Sequence, residues 1–382
     1  MPILGAFILP HPPIILPEVG RGEERKIQNT IDACRETAGR IAALKPDTIV
    51  LTSPHTALYG DYFHISPGER AMGDLRRFGV AGVKLEAEYD SEFVKLLEKT
   101  AGDAGLSAGT LGERDSALDH GTLIPLYFLN EIMTGCKLVR IGLSGLPVLD
   151  HYRLGKCISK TAEALGRRVV FIASGDLSHK LKEEGPYGFS EEGPVFDREV
   201  TDAMAKGDFL RFLTFDPDFC DAAGECGLRS FIIMAGALDR KAVSPQLLSY
   251  EGPFGVGYGV CAFEVIGEDE GRCFDEIFEK KQRNSLYVIK ENEDAFVRLA
   301  RLSLETYIMT GKRAKLPADL PDELLNKRAG AFVSLKKHGR LRGCIGTVSP
   351  VTGCAAEEIL RNAVSAGTED PRFDPVTEQE LP

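Results

Sequence analysis

Several signatures are missing from this chain. No two of its nine cysteines, at 34, 136, 157, 220, 226, 261, 273, 344 and 354, form a CxxC pair. An odd count with no disulfide framework predicts reduced thiols in a cytoplasmic compartment. No apolar run approaches the roughly 20 residues that span a bilayer. The apolar N-terminus has no basic segment before it, and Pro10, Pro12, Pro13 and Pro17 interrupt it, which argues against a signal peptide. Excess positive charge is absent too: the net charge is −11, which disfavours a general nucleic-acid binder. There is no internal repeat and no low-complexity tract. Histidine is scarce, with seven among 382 residues, so each one bears scrutiny. These absences predict a soluble, cytoplasmic protein with neither membrane nor nucleic acid as a partner.

What is present fits an enzyme-sized globular protein. Hydrophobic residues make up 43% and charged residues 27%, a folded composition, and 382 residues suggest two domains. Ile3 to Leu9 reads as a buried strand ended by prolines. Glu23 to Leu44 carries Ile27, Ile31, Cys34, Ala38, Ile41 and Leu44 at helical spacing, and Pro46 closes it. Residues 47–52 form a second strand. Ser91 to Ala101 reads as a helix capped by Asp90, with Gly102 past its end. Strands at 138–143 and 169–173 flank a helix near 150–165. Helices follow at 195–206 and 227–238, then a strand at 258–266. This alternation predicts an α/β fold: a mostly parallel central sheet flanked by helices.

The acidic, glycine-flanked stretch Gly267–Gly271 marks a domain boundary. The organisation expected is a first domain over 1–267, a charged linker over 268–290, and a smaller α+β domain over 291–382. That last domain has a helix at 294–310 and a hairpin from 332–335 and 341–346.

The distinctive histidines lie just past strand ends. They occur in Pro10-His11-Pro12-Pro13, Ser53-Pro54-His55, Asp119-His120-Gly121 and Ser174-Gly175-Asp176-Leu177-Ser178-His179. Ligands of open α/β sheets collect beyond the carboxyl ends of the strands, so His11, His55 and His179 are expected to share one cleft. Two histidines and a carboxylate can hold ferrous iron with positions left open. Each residue also has a plainer reading. His11 and His55 could bond loop carbonyls. Asp119 could cap a helix with His120 merely beside it. Asp176 or Ser178 could cap another, leaving His179 nearby. Glu225 could be a first-turn carboxylate favoured by a helix dipole, and Cys226 a small buried hydrophobe. Tyr59 and His64 could line a pocket or simply pack. Cys344 could be a nucleophile, but tight backbone packing in its glycine-flanked turn is the favoured reading.

Taken together, His-Pro-Pro, Ser-Pro-His, Asp-His-Gly, Gly-Asp-Leu-Ser-His and Gly224-Glu225-Cys226-Gly227, in this order, resemble the LigB-type class III extradiol dioxygenases and the related Memo family. The resemblance implies a non-haem Fe(2+) site, another divalent metal being an alternative. His11 and His55 match its histidine ligands, with Glu225 as the carboxylate. Memo-type relatives put a cysteine at the third position, so Cys226 stands beside it as the other candidate. The resemblance also makes His179 the acid–base catalyst and turns His120 towards the substrate. In that cleft Asp176 would face the substrate, and Tyr59 would line it. The implied reaction is opening of a catechol-like or aminophenol-like ring with O2. The alternative is a catalytically inactive metal-binding or protein-interaction module.

Leu341-Arg342-Gly343-Cys344-Ile345-Gly346 and Asp370-Pro371-Arg372-Phe373 resemble the AMMECR domain, which is expected to be incomplete at its C-terminus here. The pairing of the two domains resembles the AmmeMemoRadiSam system. That resemblance implies Memo-like or radical-SAM partners and an uncharacterised modification pathway.

Overall fold

The computed structural model describes residues 2–113, 115–337 and 340–381. His338 and Gly339, in the turn of the hairpin expected from 332–335 and 341–346, lie outside them. The chain divides into two compact units, Met1–Phe278 and Glu279–Pro382.

The strands of the first unit are β1 (Ile3–Leu9), β2 (Thr48–Ser53), β3 (Phe63–His64), β4 (Arg70–Leu75), β5 (Val80–Glu88), β6 (Ala108–Gly109), β7 (Lys137–Gly142), β8 (Val169–Ser174), β9 (Lys241–Glu251) and β10 (Tyr258–Glu268). Six of them form one sheet in the order β7-β2-β8-β1-β10-β9. β7, β2, β8 and β1 run parallel, whereas β10 and β9 add an antiparallel edge. The parallel strands are buried on both faces, as β-branched and apolar runs such as Val169-Val170-Phe171-Ile172 require. One face packs Ile8, Val50, Phe171 and Phe231, and the other Phe7, Leu51, Ile172 and Ile124.

Leu9 pairs with Ser174 and Ser53 with Gly142, so the parallel strands end together on one edge. Both histidine loops therefore leave from the same side of the sheet. Helix Val148–Leu165 crosses helix Leu228–Ala237 at two glycines. A Cβ on Gly236 would lie 1.9 Å from the Tyr152 carbonyl oxygen, and one on Gly155 2.0 Å from that of Ile233. This backbone-to-backbone contact fixes the height of the second helix, and with it the Glu225–Cys226 turn before it.

Three segments differ from the sequence reading. Residues 23–27 are a 3-10 turn, and the α-helix is Gln28–Leu44. The 70–88 stretch, for which no element was read, is an antiparallel hairpin of β4 and β5, in which Val83, Leu85 and Ala87 alternate with exposed Lys84, Glu86 and Glu88. The 268–290 segment, read as a charged linker, is largely helix, Phe274–Glu291. Its charge reflects a mostly solvated helical surface, with Asp275 and Phe278 its buried positions.

In the second unit, helices Ala295–Thr310 and Ala355–Thr368 pack with the antiparallel hairpin of β11 (Phe332–Lys337) and β12 (Arg340–Gly346). Leu299, Leu324, Val333, Ala356, Ile359 and Ala363 form its small core. Phe332 and Val348 are exposed, at 65% and 89%. Among the described residues no helix is long and apolar enough to cross a membrane.

Candidate metal centre

His11 follows β1 directly and is buried. Its backbone N–H donates to Asp176 Oδ1 at 2.9 Å, and its Nδ1 lies 2.9 Å from Ser174 Oγ. That hydroxyl donates its own proton to the Gly121 carbonyl at 2.6 Å. It can therefore only accept from the ring, which assigns the proton to Nδ1 and leaves a lone pair on Nε2. The arrangement is the usual orienting bond behind a histidine metal ligand.

Facing that lone pair, His55 Nε2 lies 2.9 Å away. Cys226 Sγ is 3.7 Å from the same His11 nitrogen. The three donor atoms lie within 4.8 Å of one another. Donors about 2.0–2.3 Å from one cation fall at such separations. Two imidazoles and a sulfur suit a mid-series transition metal. The donor set thus fits a metal, and its chemistry alone does not choose among Fe, Zn and Cu.

Glu225, the neighbour of Cys226, lies outside this group. Its carboxylate accepts the Leu228 N–H at 2.7 Å, at the start of helix Leu228–Ala237. Of the two candidates for third donor, the turn brings Cys226 to the histidines. Close backbone contact holds the turn there: a Cβ on Gly175 would lie 2.2 Å from Gly227 Cα. Cys226 Sγ also lies 3.7 Å from the Asp176 carbonyl oxygen.

His120 opens helix His120–Asn130, with Asp119 as its N-cap. The plain reading of Asp119 as a cap is correct, yet His120 still belongs to the cluster. Its ring stacks on His55 at 4.0 Å between centroids and meets His11 edge-on at 5.4 Å. Asp119 Oδ1 accepts from Ser53 Oγ at 2.5 Å, which ties this helix to the β2 loop.

His179 is held by the loop after β8. Leu177 N–H donates to the Gly257 carbonyl and Gly257 N–H to the Ser178 carbonyl, both at 2.8 Å. Ser178 N–H donates to buried Asp197 at 2.7 Å, and Tyr250 donates to the other Asp197 oxygen at 2.7 Å. His179 Nε2 is buried and has no hydrogen-bond partner among the described residues. Such a group calls for a ligand or a water. The ring lies 5.0 Å from that of exposed Tyr187.

Tyr59 donates to the Gly112 carbonyl, and its ring neighbours are Tyr62 and His64, a setting of packing against the outer loops.

The electrostatics favour neutral imidazoles. Burial pushes the His11 pKa well below its ordinary value, and the neighbouring His55 adds to this. Desolvation lowers His55 as well, against the pull of Asp119 and Asp176. His55 is the solvent-exposed member of the group, so its shift is the softer one. His120 falls to about 3 through burial and the adjacent histidines, and burial also lowers His179. Asp176 rises to about 6 and Glu225 to about 7, both through burial. Burial likewise raises the Cys226 thiol, and Asp176 and Glu225 reinforce it. A cation would have to displace the thiol proton, so metal binding would release it.

Sequence reasoning quoted Ser174 and Ser53 within motifs without giving them roles. A hydroxyl at the last residue of a strand, one turn from a candidate ligand, is the signal that could have found them. Tyr187 and Asp197 leave no such signal.

Known proteins match both units. The family described as the catalytic LigB subunit of aromatic ring-opening dioxygenase matches residues 5–261, and AMMECR1 matches residues 297–382. A Clostridium acetobutylicum protein is 39% identical over 389 residues, which cover 100% of this chain and 83% of that one. The 3,4-dihydroxyphenylacetate 2,3-dioxygenase of Escherichia coli is 26% identical over 252 residues, 62% of this chain and 89% of that enzyme. A Thermotoga maritima protein is 47% identical over 90 residues, which span 23% of this chain and about half, 52%, of that protein.

Proposed function

Because the chain belongs to the family of the catalytic LigB subunit of aromatic ring-opening dioxygenase, we propose that it is a non-haem, iron-dependent dioxygenase of extradiol type. Its substrate would be a catechol-like or aminophenol-like ring, with O2 as co-substrate. The observation that carries this reading is the convergence of His11 Nε2 and His55 Nε2 at 2.9 Å, beside a buried His179 Nε2 that has no hydrogen-bond partner among the described residues.

Bound Fe(2+) would supply adjacent open positions where the ring oxygens and O2 are held together. His11, His55 and Cys226 would hold it. The other residues handle protons and position. His179 is neutral near pH 7, because burial lowers its pKa, so its free Nε2 can accept a proton from a ring hydroxyl. Asp176 is ionised above about pH 6, and its charge favours the protonated imidazole that results. His179 can then return that proton to the ring-opened product. His120 stays uncharged, with a pKa of about 3, and can donate one N–H to a bound oxygen atom. Asp197 holds the Ser178 backbone and so keeps His179 in place.

Cys226 favours a second reading. A thiolate in place of a carboxylate changes the site's electronics and metal preference. In this reading the first unit is a catalytically inactive Memo-like module that binds metal or protein. The AMMECR1 region then serves a modification pathway with Memo-like or radical-SAM proteins. Both readings place the protein in the cytoplasm, in keeping with nine free cysteines.

Anaerobic purification, metal analysis and oxygen uptake with a panel of catechols and aminophenols separate the two. Stoichiometric iron with ring-dependent oxygen uptake supports the dioxygenase. Bound metal with no uptake on any ring supports the module.

A further inference from the structure

Among the largest side chains that the fold buries completely is that of an arginine, Arg140, inside β7. Its neighbours on that face of the sheet are apolar: Leu138 on the same strand and Leu51 across the ladder. A buried charge is costly unless its donors are matched, and an apolar residue would pack there without that cost. Where the guanidinium sends its donors therefore matters.

Most of them go to one loop. Nε donates to Ser66 Oγ at 2.6 Å, which braces the fork against the connection between β3 and β4. Nη1 donates to the Ala117 carbonyl at 2.7 Å and lies 3.8 Å from Asp119 Oδ2. Nη2 donates to Glu113 Oε1 at 3.4 Å. Glu113, Ala117 and Asp119 all belong to the loop that ends at His120.

That loop is held from few other directions. Leu111, Gly112, Asp115, Ser116 and Ala117 are exposed. Its other anchors include a bond from the Leu118 N–H to the Met72 carbonyl, at 2.9 Å, and that from Tyr59 to the Gly112 carbonyl. Asp119 passes the hold on, because it accepts from Ser53 Oγ at 2.5 Å and from the Thr122 N–H at 3.1 Å. His120 is the first residue of the helix so capped, and its ring stacks on His55. A planar fork can reach several loop positions at once, which a lysine ammonium cannot reproduce.

We propose that Arg140 is a positioning residue for the metal centre: it clamps the loop that carries Glu113, Ala117 and Asp119 to the sheet, and so sets the His120 ring on His55. The placing does not depend on which reaction the centre performs. Its effect on rate rests on the ring-opening reading.

The test uses the full-length protein loaded with Fe(2+) under anaerobic conditions. The probe is diethyl pyrocarbonate, which acylates neutral imidazoles, with each histidine read by mass spectrometry. His179, held by another loop, is the internal control. Arg140→Met removes the donors at similar volume. It should raise His120 labelling relative to His179 by about tenfold, with metal content retained. Arg140→Lys should fall between wild type and Arg140→Met. On the ring-opening reading, Arg140→Met also lowers kcat by about 100-fold and changes KM by less than about twofold, because a misplaced group costs rate more than binding. The inference is overturned if folded Arg140→Met labels His120 as wild type does. It is equally overturned if His120 and His179 rise together, the mark of general loosening. Should Arg140→Met fail to fold, Glu113→Ala decides. Loss of that partly exposed partner should raise the His120 ratio by about threefold, and an unchanged ratio overturns the inference. Selective labelling in a protein that consumes no oxygen with any ring would sink the ring-opening reading and leave the clamp standing.

Discussion

Each unit places a cysteine near polar side chains, and the two settings behave in opposite ways. Around Cys226 the neighbours keep free lone pairs: His11 Nε2 points inward because Ser174 holds the opposite ring nitrogen, and His55 meets it. Around Cys344 the charged groups that reach its backbone are engaged with each other. Asp370 accepts the Cys344 N–H at 2.8 Å and pairs with Arg372 at 2.7 Å, while Arg372 donates to the Cys344 carbonyl at 3.3 Å. A Cβ on Gly343 would lie 2.1 Å from the Ala366 carbonyl oxygen, so the turn is pressed against a helix. The Ser334 hydroxyl lies 3.1 Å from the Cys344 sulfur, and among the described residues no histidine or free carboxylate contacts it. A thiol becomes a site through unsatisfied neighbours, and polar surroundings alone do not make it one.

The comparison breaks most visibly at the ligands. His11→Ala and His55→Ala should each weaken metal binding by more than about 100-fold, since even residues that only orient ligands cost 10–100-fold. Cys344→Ser should leave metal content as it is. Equilibrium dialysis of the three variants against one metal stock gives the ranking. Equal metal retention in all of them would remove the distinction between the two cysteines.

A smaller effect separates proton handling from metal binding within the first unit. His179→Ala should keep its metal and lose about 10²–10⁴-fold of any ring-cleaving rate. Loss of metal in step with rate would instead make His179 a ligand.

The two units also carry carboxyl groups whose pKa values are shifted in opposite directions. Burial raises Asp197 to about 7, so the folded state holds its proton longer than the unfolded chain does. Its contribution to stability is therefore largest in acid and falls as pH rises from about 4 through 7. Glu380 is held at about 2, chiefly by Arg342. Its contribution is present above the unfolded value near 4.5 and is lost as pH falls towards 2. Lowered histidines in the first unit oppose the Asp197 trend, so variants are needed to isolate it. The stability difference between wild type and Asp197→Asn should drift downward with rising pH. The corresponding difference for Glu380→Gln should drift upward from about pH 2 to 5. Amide exchange followed separately in each unit reads both, and parallel drifts would contradict the assignment.

Much of this was legible in the sequence, for reasons that can be named. Buried parallel strands read as continuous apolar runs, so the ends of β1, β2 and β8 could be placed, and His11, His55 and His179 with them. Asp90 announced its helix, because a cap acts over three residues, whereas the cap at Asp119 was one of two readings left open. The choice between Glu225 and Cys226 was not legible. Adjacent residues in a turn point to different sides, and the side was set by the contact of Gly175 with Gly227, far apart in sequence. The Ser174 bond that fixes the His11 tautomer likewise spans 163 positions. The β4–β5 hairpin was missed although Val83, Leu85 and Ala87 alternate with the charged Lys84, Glu86 and Glu88 in β5.

The central claim is that Cys226, rather than Glu225, completes the metal centre with His11 and His55. Cobalt(II) titration of the metal-free protein tests it most directly, because sulfur bound to cobalt gives a thiolate charge-transfer band that a carboxylate cannot. The band should appear in wild type and in Glu225→Gln, reach one equivalent, and vanish in Cys226→Ser. A band that survives Cys226→Ser, or binding abolished by Glu225→Gln while Cys226→Ser binds normally, would contradict the account.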